Sequence, residues 1–167
     1  MPMSQRWKLT TDGRQIDVDA APEVIYDLVS DMPRMGEWSP ECETVEWQGD
    51  TTGPAVGARF VGHNRGGPRR LFRWSRQGRV LAAERGREFA FVTEEGGRES
   101  TEWRYRMEPT TGGTRVTESY TVRWIPTWAR ILDVPTNRHR ELLEAMDHTL
   151  AHLKRAAESA TIEGGRP

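Results

Sequence analysis

The sequence predicts an α+β domain in which a curved antiparallel sheet of about seven strands, with two short helices, wraps around one long C-terminal helix. Three observations predict it. From about Thr136 to Ser159 the chain runs without Gly or Pro. Its middle alternates apolar and polar residues between Gly-rich turns. The connections are short, which suits hairpins between neighbouring antiparallel strands.

At about 100° per residue, His139, Leu142, Leu143, Met146, Thr149, Leu150, Leu153 and Ala157 share one arc of the long helix, with Glu141, Glu144, His148, Ala151 and Arg155 opposite. One face is therefore built for burial. Thr136 or Asn137 suits the N-cap, Pro135 blocks extension backward, and Gly164-Gly165 lie in the tail. The first few residues and about 160–167 are expected to be disordered.

The 167 residues read as a single domain, long enough to bury about 70% of its unfolded surface. With 24 basic against 25 acidic side chains the formal charge is −1, which argues against a dominant nucleic-acid role. Cys42 stands alone, so no internal disulfide can form and the chain suits a reducing compartment. The opening MPMSQRWK lacks the apolar core of a signal peptide, and no later run is long and apolar enough to span a bilayer. A soluble, cytoplasmic protein is the expectation.

In chain order, residues 7–18 form a first strand, clearest where Ile16 and Val18 alternate with Gln15 and Asp17. Pro22 fits the first turn of a short helix with Val24, Ile25, Leu28 and Val29 on one face. Pro33 and Gly36 close it, so Asp31 to Pro40 holds at most a short second helix and a loop carrying Trp38. Six strands follow: Thr44 to Gln48, Arg59 to Asn64, Leu71 to Leu81, Glu88 to Thr93, Ser100 to Glu108 and Thr114 to Trp124. In the fifth of these, Trp103, Tyr105 and Met107 point one way and Glu102, Arg104 and Arg106 the other. The apolar segment Trp124 to Pro135 is interrupted by two prolines, with room for a turn of helix at Trp128, Ile131 and Leu132.

This order resembles the START-like or Bet v 1-like helix-grip superfamily, and within it the bacterial polyketide cyclase/dehydrase and lipid-transport (SRPBCC) branch. The residues that carry the resemblance are Ile16 to Pro22 with Val24 to Val29, Asp31 to Pro40 ending in Glu37-Trp-Ser-Pro, Val56 to Phe60, and Gly112 to Glu118. It covers nearly the whole chain. Its motifs mark the fold and leave the activity open, since members carry hydrophobic ligands or cyclise polyketides and share no fixed catalytic set. The resemblance implies a cavity between sheet and helix.

Candidate wall residues are Phe60, Phe72, Trp74, Phe89 or its neighbour Phe91, Trp103, Tyr105, Val116, Tyr120 and Val122, facing His139, Leu142, Met146 and Leu150, with Trp128 at the entrance. Aromatic rings and Met suit an apolar ligand; the alternative is that they fill an ordinary core. Glu118 shares strand parity with the apolar set, so strict alternation buries it. A buried carboxylate must find partners or keep its proton. It could orient a ligand or transfer protons, with Tyr105 and His139 as further candidates, or it could be a structural pair. His148 and His152 have i, i+4 spacing, but they lie on the polar side with no third ligand in sight, so no metal is expected. No glycine-rich nucleotide motif is present, and no cofactor is expected.

Arg65, Arg69, Arg70, Arg73, Arg76 and Arg79 form a basic stripe that would suit an acyl carrier protein, anionic lipid headgroups or RNA, or simply a solvated face paired with carboxylates. The leading expectation is binding or transport of a small hydrophobic, lipid-like or polyketide-like molecule. An aromatase/cyclase-like enzyme comes second, and an interaction module using the arginines third. Oligomeric state is open.

Overall fold

The computed structural model describes residues 11–129, 131 and 138–164. Strand β1 (Thr11–Val18) leads into helix α1 (Pro22–Ser30) and a 3-10 turn over Met32–Glu37. The strands β2 (Cys42–Gln48), β3 (Arg59–Gly66), β4 (Phe72–Glu84), β5 (Glu88–Glu95), β6 (Arg98–Thr110) and β7 (Gly113–Val122) follow, and α2 (Arg138–Gly164) ends the described chain. Seven antiparallel strands lie in the order β1-β7-β6-β5-β4-β3-β2. β2 to β7 are therefore a meander in which each strand pairs with the next, and β1 closes the far edge on β7.

The elements follow from local sequence. Pro22 opens α1, and Ile25, Leu28 and Val29 are buried as their spacing requires, with Val24 only partly covered and Tyr26 buried as well. On α2 the buried set is Leu142, Met146, Thr149, Leu150, Leu153 and Ala157, all within the arc predicted for burial. Leu143 and His139 sit at its margins, partly exposed. The helix continues through Ala160 to Gly164, five residues past the expected end at Ser159 and into the stretch expected to be disordered, because nothing before Gly164 interrupts it. The expected caps Thr136 and Asn137, Pro135, Leu132 and the start of the first strand at residues 7–10 lie outside the described residues.

Two side-chain environments differ from the sequence reading. Trp38, expected in a loop, is buried in the core beside the 3-10 turn. Phe72, expected on the inner face, is exposed, because β4 begins beyond the edge of the covered sheet.

α2 makes its main contacts with β1 and α1, and fewer with β7. The principal core lies there, from Val18, Ile25 and Val29 through Met107 and Val116 to Leu150, Leu153 and Ala157. The inner faces of β3 to β6 continue beyond this contact, and that offset leaves the interior space described next.

The outer face is a lattice of ion pairs. Arg104 bridges Glu88 and Glu102, and Arg123 bridges Glu99 and Glu102. Arg79 meets Glu99, and Arg65 and Arg73 share Glu43, whereas Arg76 meets Glu95 on the inner side of the sheet. Four of the six stripe arginines thus have carboxylate partners, three of them in the manner expected of a solvated face and Arg76 at the cavity.

Candidate functional site

Tyr105 on β6 and Glu118 on β7 are direct cross-strand partners. The β6–β7 pairing runs without a bulge, so alternation delivers both side chains to the inner face together with Trp103, Met107, Val116 and Tyr120. The Tyr105 hydroxyl donates to Glu118 Oε1 at 2.8 Å, and both residues are buried. Glu118 Oε2 has no hydrogen-bond partner among the described residues.

Burial pushes the Glu118 carboxyl up to about 8. The Tyr105 hydrogen bond pulls the other way, and the Asp147 carboxylate adds to the rise. Near neutral pH the group therefore carries its proton, and it is a hydrogen-bond donor rather than a charge. Tyr105 is itself raised well above the ordinary phenol value, by burial first and then by Glu118. Cys42, buried nearby, is pushed up to about 11 by burial with a smaller contribution from Glu43, so it stays a thiol.

These groups line a cavity of about 420 Å³, within the range of pockets that hold small molecules. Phe60, Trp74, Phe91, Trp103 and Val122 form its sheet wall, with Leu142 and Met146 from α2 opposite and Met32 and Met35 closing one end. Gly62 lies between Phe60 and Asn64 on the cavity side of β3, where an added Cβ would meet nothing closer than 3.9 Å. Ser39, Asn64, Thr93, Ser100, Thr101 and Thr149 add neutral polar groups to the lining.

Where the cavity reaches the surface, Arg138 at the start of α2 holds Glu41 in a two-pronged ion pair, at 2.5 and 2.9 Å. Both belong to the cavity wall, and each is about a third exposed, at 34% and 30%. Arg76 and Glu95, also in the wall, pair at 3.2 Å. The strong ions of the lining are therefore matched, and the deep carboxyl is neutral.

Of the residues expected at the site, Phe60, Trp74, Phe91, Trp103, Tyr105, Glu118, Val122, Leu142 and Met146 are brought together around the cavity. Tyr120, His139, Leu150 and Trp128 are not in its wall. Tyr120 is sealed beneath α2 with Leu142 and Met146, and its Oη shares a 2.5 Å hydrogen bond with His139 Nδ1. His139 Nε2 lies 3.2 Å from Asp12 Oδ2, so the imidazole is engaged on both sides, away from the cavity. Leu150, Phe89 and Val116 belong to the packed core, and Trp128 is exposed. From its segment Ile125 and Ala129 are the residues that reach the wall.

The Arg138–Glu41 pair had no sequence signal, since its members are 97 positions apart. Met32 and Met35 carried a weak one, as adaptable apolar residues in an irregular segment. Gly62 carried another, as a glycine inside a strand pattern. The rings of His148 and His152 lie 4.1 Å apart, tilted by 48°, and among the described residues no group of three His, Cys, Asp or Glu side chains could hold a metal ion.

Residues 7–158 match the family described as polyketide cyclase / dehydrase and lipid transport. The chain belongs to this family. Among solved structures, the polyketide-cyclase-like protein Cgl2372 of Corynebacterium glutamicum is similar at 31% identity, covering 94% of this chain and 96% of that one, with a TM-score of 0.60. The di-domain aromatase/cyclase StfQ of the steffimycin biosynthetic pathway superposes with a TM-score of 0.74 at 14% identity. It is covered over 53% of its length and this chain over 95%, and the likeness is one of fold. An AHSA1-like protein of Aeromonas hydrophila shares the fold at 18% identity and a TM-score of 0.60, covering 94% of this chain and 98% of that one. No curated protein matches the sequence. The helix-grip architecture of this polyketide cyclase/dehydrase family member is thereby established. No helix among its described residues is long and apolar enough to cross a membrane.

Proposed function

We propose that this family member binds a small, uncharged, largely apolar molecule in the cavity, and that the ligand presents a carbonyl or hydroxyl oxygen to the protonated Glu118. The observation that carries the reading is Glu118 Oε2, unpartnered among the described residues and buried in a wall that is otherwise mostly aromatic and aliphatic. A buried polar atom without a partner costs about 1–3 kcal/mol. A ligand oxygen accepting from that carboxyl recovers the loss. A ligand carboxylate would instead carry an uncompensated charge into this apolar wall, whose arginines are already paired, and be rejected. Lipid-like and polyketide-like ketones and alcohols fit this description. Cytoplasmic residence, consistent with a thiol held reduced and buried at Cys42, belongs to the same proposal.

The test is native mass spectrometry of freshly purified protein, followed by thermal melts with a panel of fatty alcohols, sterols, aromatic ketones and their carboxylate analogues. Binding to the native state raises the melting temperature. Neutral carbonyl or hydroxyl compounds should stabilise the protein and their carboxylates should not. A panel in which carboxylates stabilise equally well would overturn the role given to Glu118.

A second reading, an aromatase/cyclase-like enzyme, is favoured by the same carboxyl, because a proton held with a pKa of about 8 is suited to transfer near neutral pH. Glu118 would give its proton to a ketone oxygen as a water molecule takes the α-proton, the Tyr105 hydroxyl would stabilise the carboxylate left behind, and that water would return the proton to it. His139 has no part in it, being occupied by Tyr120 and Asp12. Turnover unchanged in Glu118→Gln would end this reading while leaving the binding proposal intact.

A further inference from the structure

Four of the six large apolar side chains exposed among the described residues lie on two short segments that border the cavity mouth. Leu71 and Phe72 occupy the β3–β4 hairpin tip and are 71% and 63% exposed; Trp128 and Ile131 follow β7 and are 61% and 66% exposed. The two segments belong to one rim. Asn64 and Trp74, just inside the hairpin, line the cavity, as do Ile125 and Ala129 of the other segment. Arg70 Nη1 also donates to the carbonyl of Pro40 at 2.5 Å, tying the hairpin to the Pro40-Glu41 edge that Arg138 grips.

We propose that this rim seats on an anionic lipid surface. Residues 65–73 hold four arginines and no acidic residue. Among the described residues Glu43 is the carboxylate that meets them, and it is shared by Arg65 and Arg73. Arg69 makes no ion pair with a described residue, and Arg70 is spent on a carbonyl, so the tip keeps a positive excess. The backbone is turned to present it: Arg69 and Arg70 take φ values of 53° and 54°, a region side-chain-bearing residues seldom occupy. Gly67, at φ 74°, leaves space for the Phe72 ring, which a Cβ there would strike at 2.5 Å.

Apolar side chains exposed on a basic rim match a bilayer, where they enter the headgroup boundary while guanidinium groups meet phosphates. An acidic protein partner would satisfy the arginines and leave the apolar side chains of the rim without a use. The inference stands whatever molecule the cavity holds.

The test is vesicle flotation of the full chain, with pure phosphatidylcholine vesicles and with vesicles of phosphatidylcholine and phosphatidylglycerol in equal parts. The protein should float with the anionic vesicles only, and progressively less as salt rises. Leu71→Ser with Phe72→Ser should weaken flotation by roughly tenfold or more, and Arg69→Ala by about fivefold. Trp128→Ser should weaken it from the other side of the mouth. None of these residues lines the cavity, so ligand-induced stabilisation in solution should be unchanged and separates this test from that of the binding proposal. No flotation with anionic vesicles at low salt, full flotation of the Leu71/Phe72 double variant, or salt-sensitive capture of an acidic carrier protein without vesicle binding would each overturn it.

Discussion

Tyr105 donates its phenolic hydrogen to Glu118 Oε1 from directly across the β6–β7 pair, 2.8 Å away, and the second carboxyl oxygen has no partner among the described residues. A neutral acid is thereby fixed by one hydrogen bond in an apolar wall, with one oxygen to spare. The consequences are measurable in the empty protein as well as in the loaded one.

Stability should fall as pH rises. The folded pKa of Glu118 is raised to about 8 from an ordinary 4.5. Between those values the native state holds a proton that the unfolded chain has lost. The contribution is fully present below about pH 4.5 and is lost by about 1.4 kcal/mol for each pH unit on the way to 8. Glu118→Gln removes this slope. Melts across the pH range should show the variant level with the native protein near pH 4.5 and more stable above pH 8; parallel curves would contradict it.

Tyr105→Phe takes away the donor to Glu118. Because that bond lowers the Glu118 pKa, the carboxyl should titrate still higher in the variant. With a buried oxygen left unpaired, the protein should lose about 1–3 kcal/mol. Carbon-13 NMR of the labelled carboxyl gives the first quantity and urea titration the second.

Gly62→Leu should fill the cavity from β3 at little cost in stability, since its Cβ would meet only ordinary contacts. Ligand-induced thermal shifts should disappear. Met146→Ala, on the opposite wall, should cost about 2–5 kcal/mol by enlarging the void. Retained binding in a folded Gly62→Leu protein would place the ligand elsewhere.

Arg138→Leu should open the mouth. Its pair with Glu41 is partly exposed, so stability should change by about 1 kcal/mol or less. Ligand association and release should both quicken with little change in affinity, as stopped-flow measurements can establish.

The sequence made the β6–β7 unit legible because no bulge disturbs it. Parity put Trp103, Tyr105 and Met107 on one face of their strand and Val116, Glu118 and Tyr120 on one face of theirs, and the burial of Glu118 followed. Elsewhere parity was insufficient. Register shifts lie between Cys42 and Thr44, Val80 and Ala82, and Thr93 and Glu94, and each changes which residues face inward. Tyr120 has the right parity and still misses the cavity, because α2 lies directly over it.

Periodicity along the chain was enough for the meander, the buried arc of α2 and the buried Glu118, since alternation and helical repeat are properties of neighbouring residues. Where α2 crosses the sheet was a tertiary matter. That crossing seals Tyr120, engages His139 with Asp12, brings Arg138 to Glu41 and leaves the cavity beside Tyr105 and Glu118. These contacts join residues far apart in the chain, and their geometry depends on how whole elements pack, which no local pattern encodes.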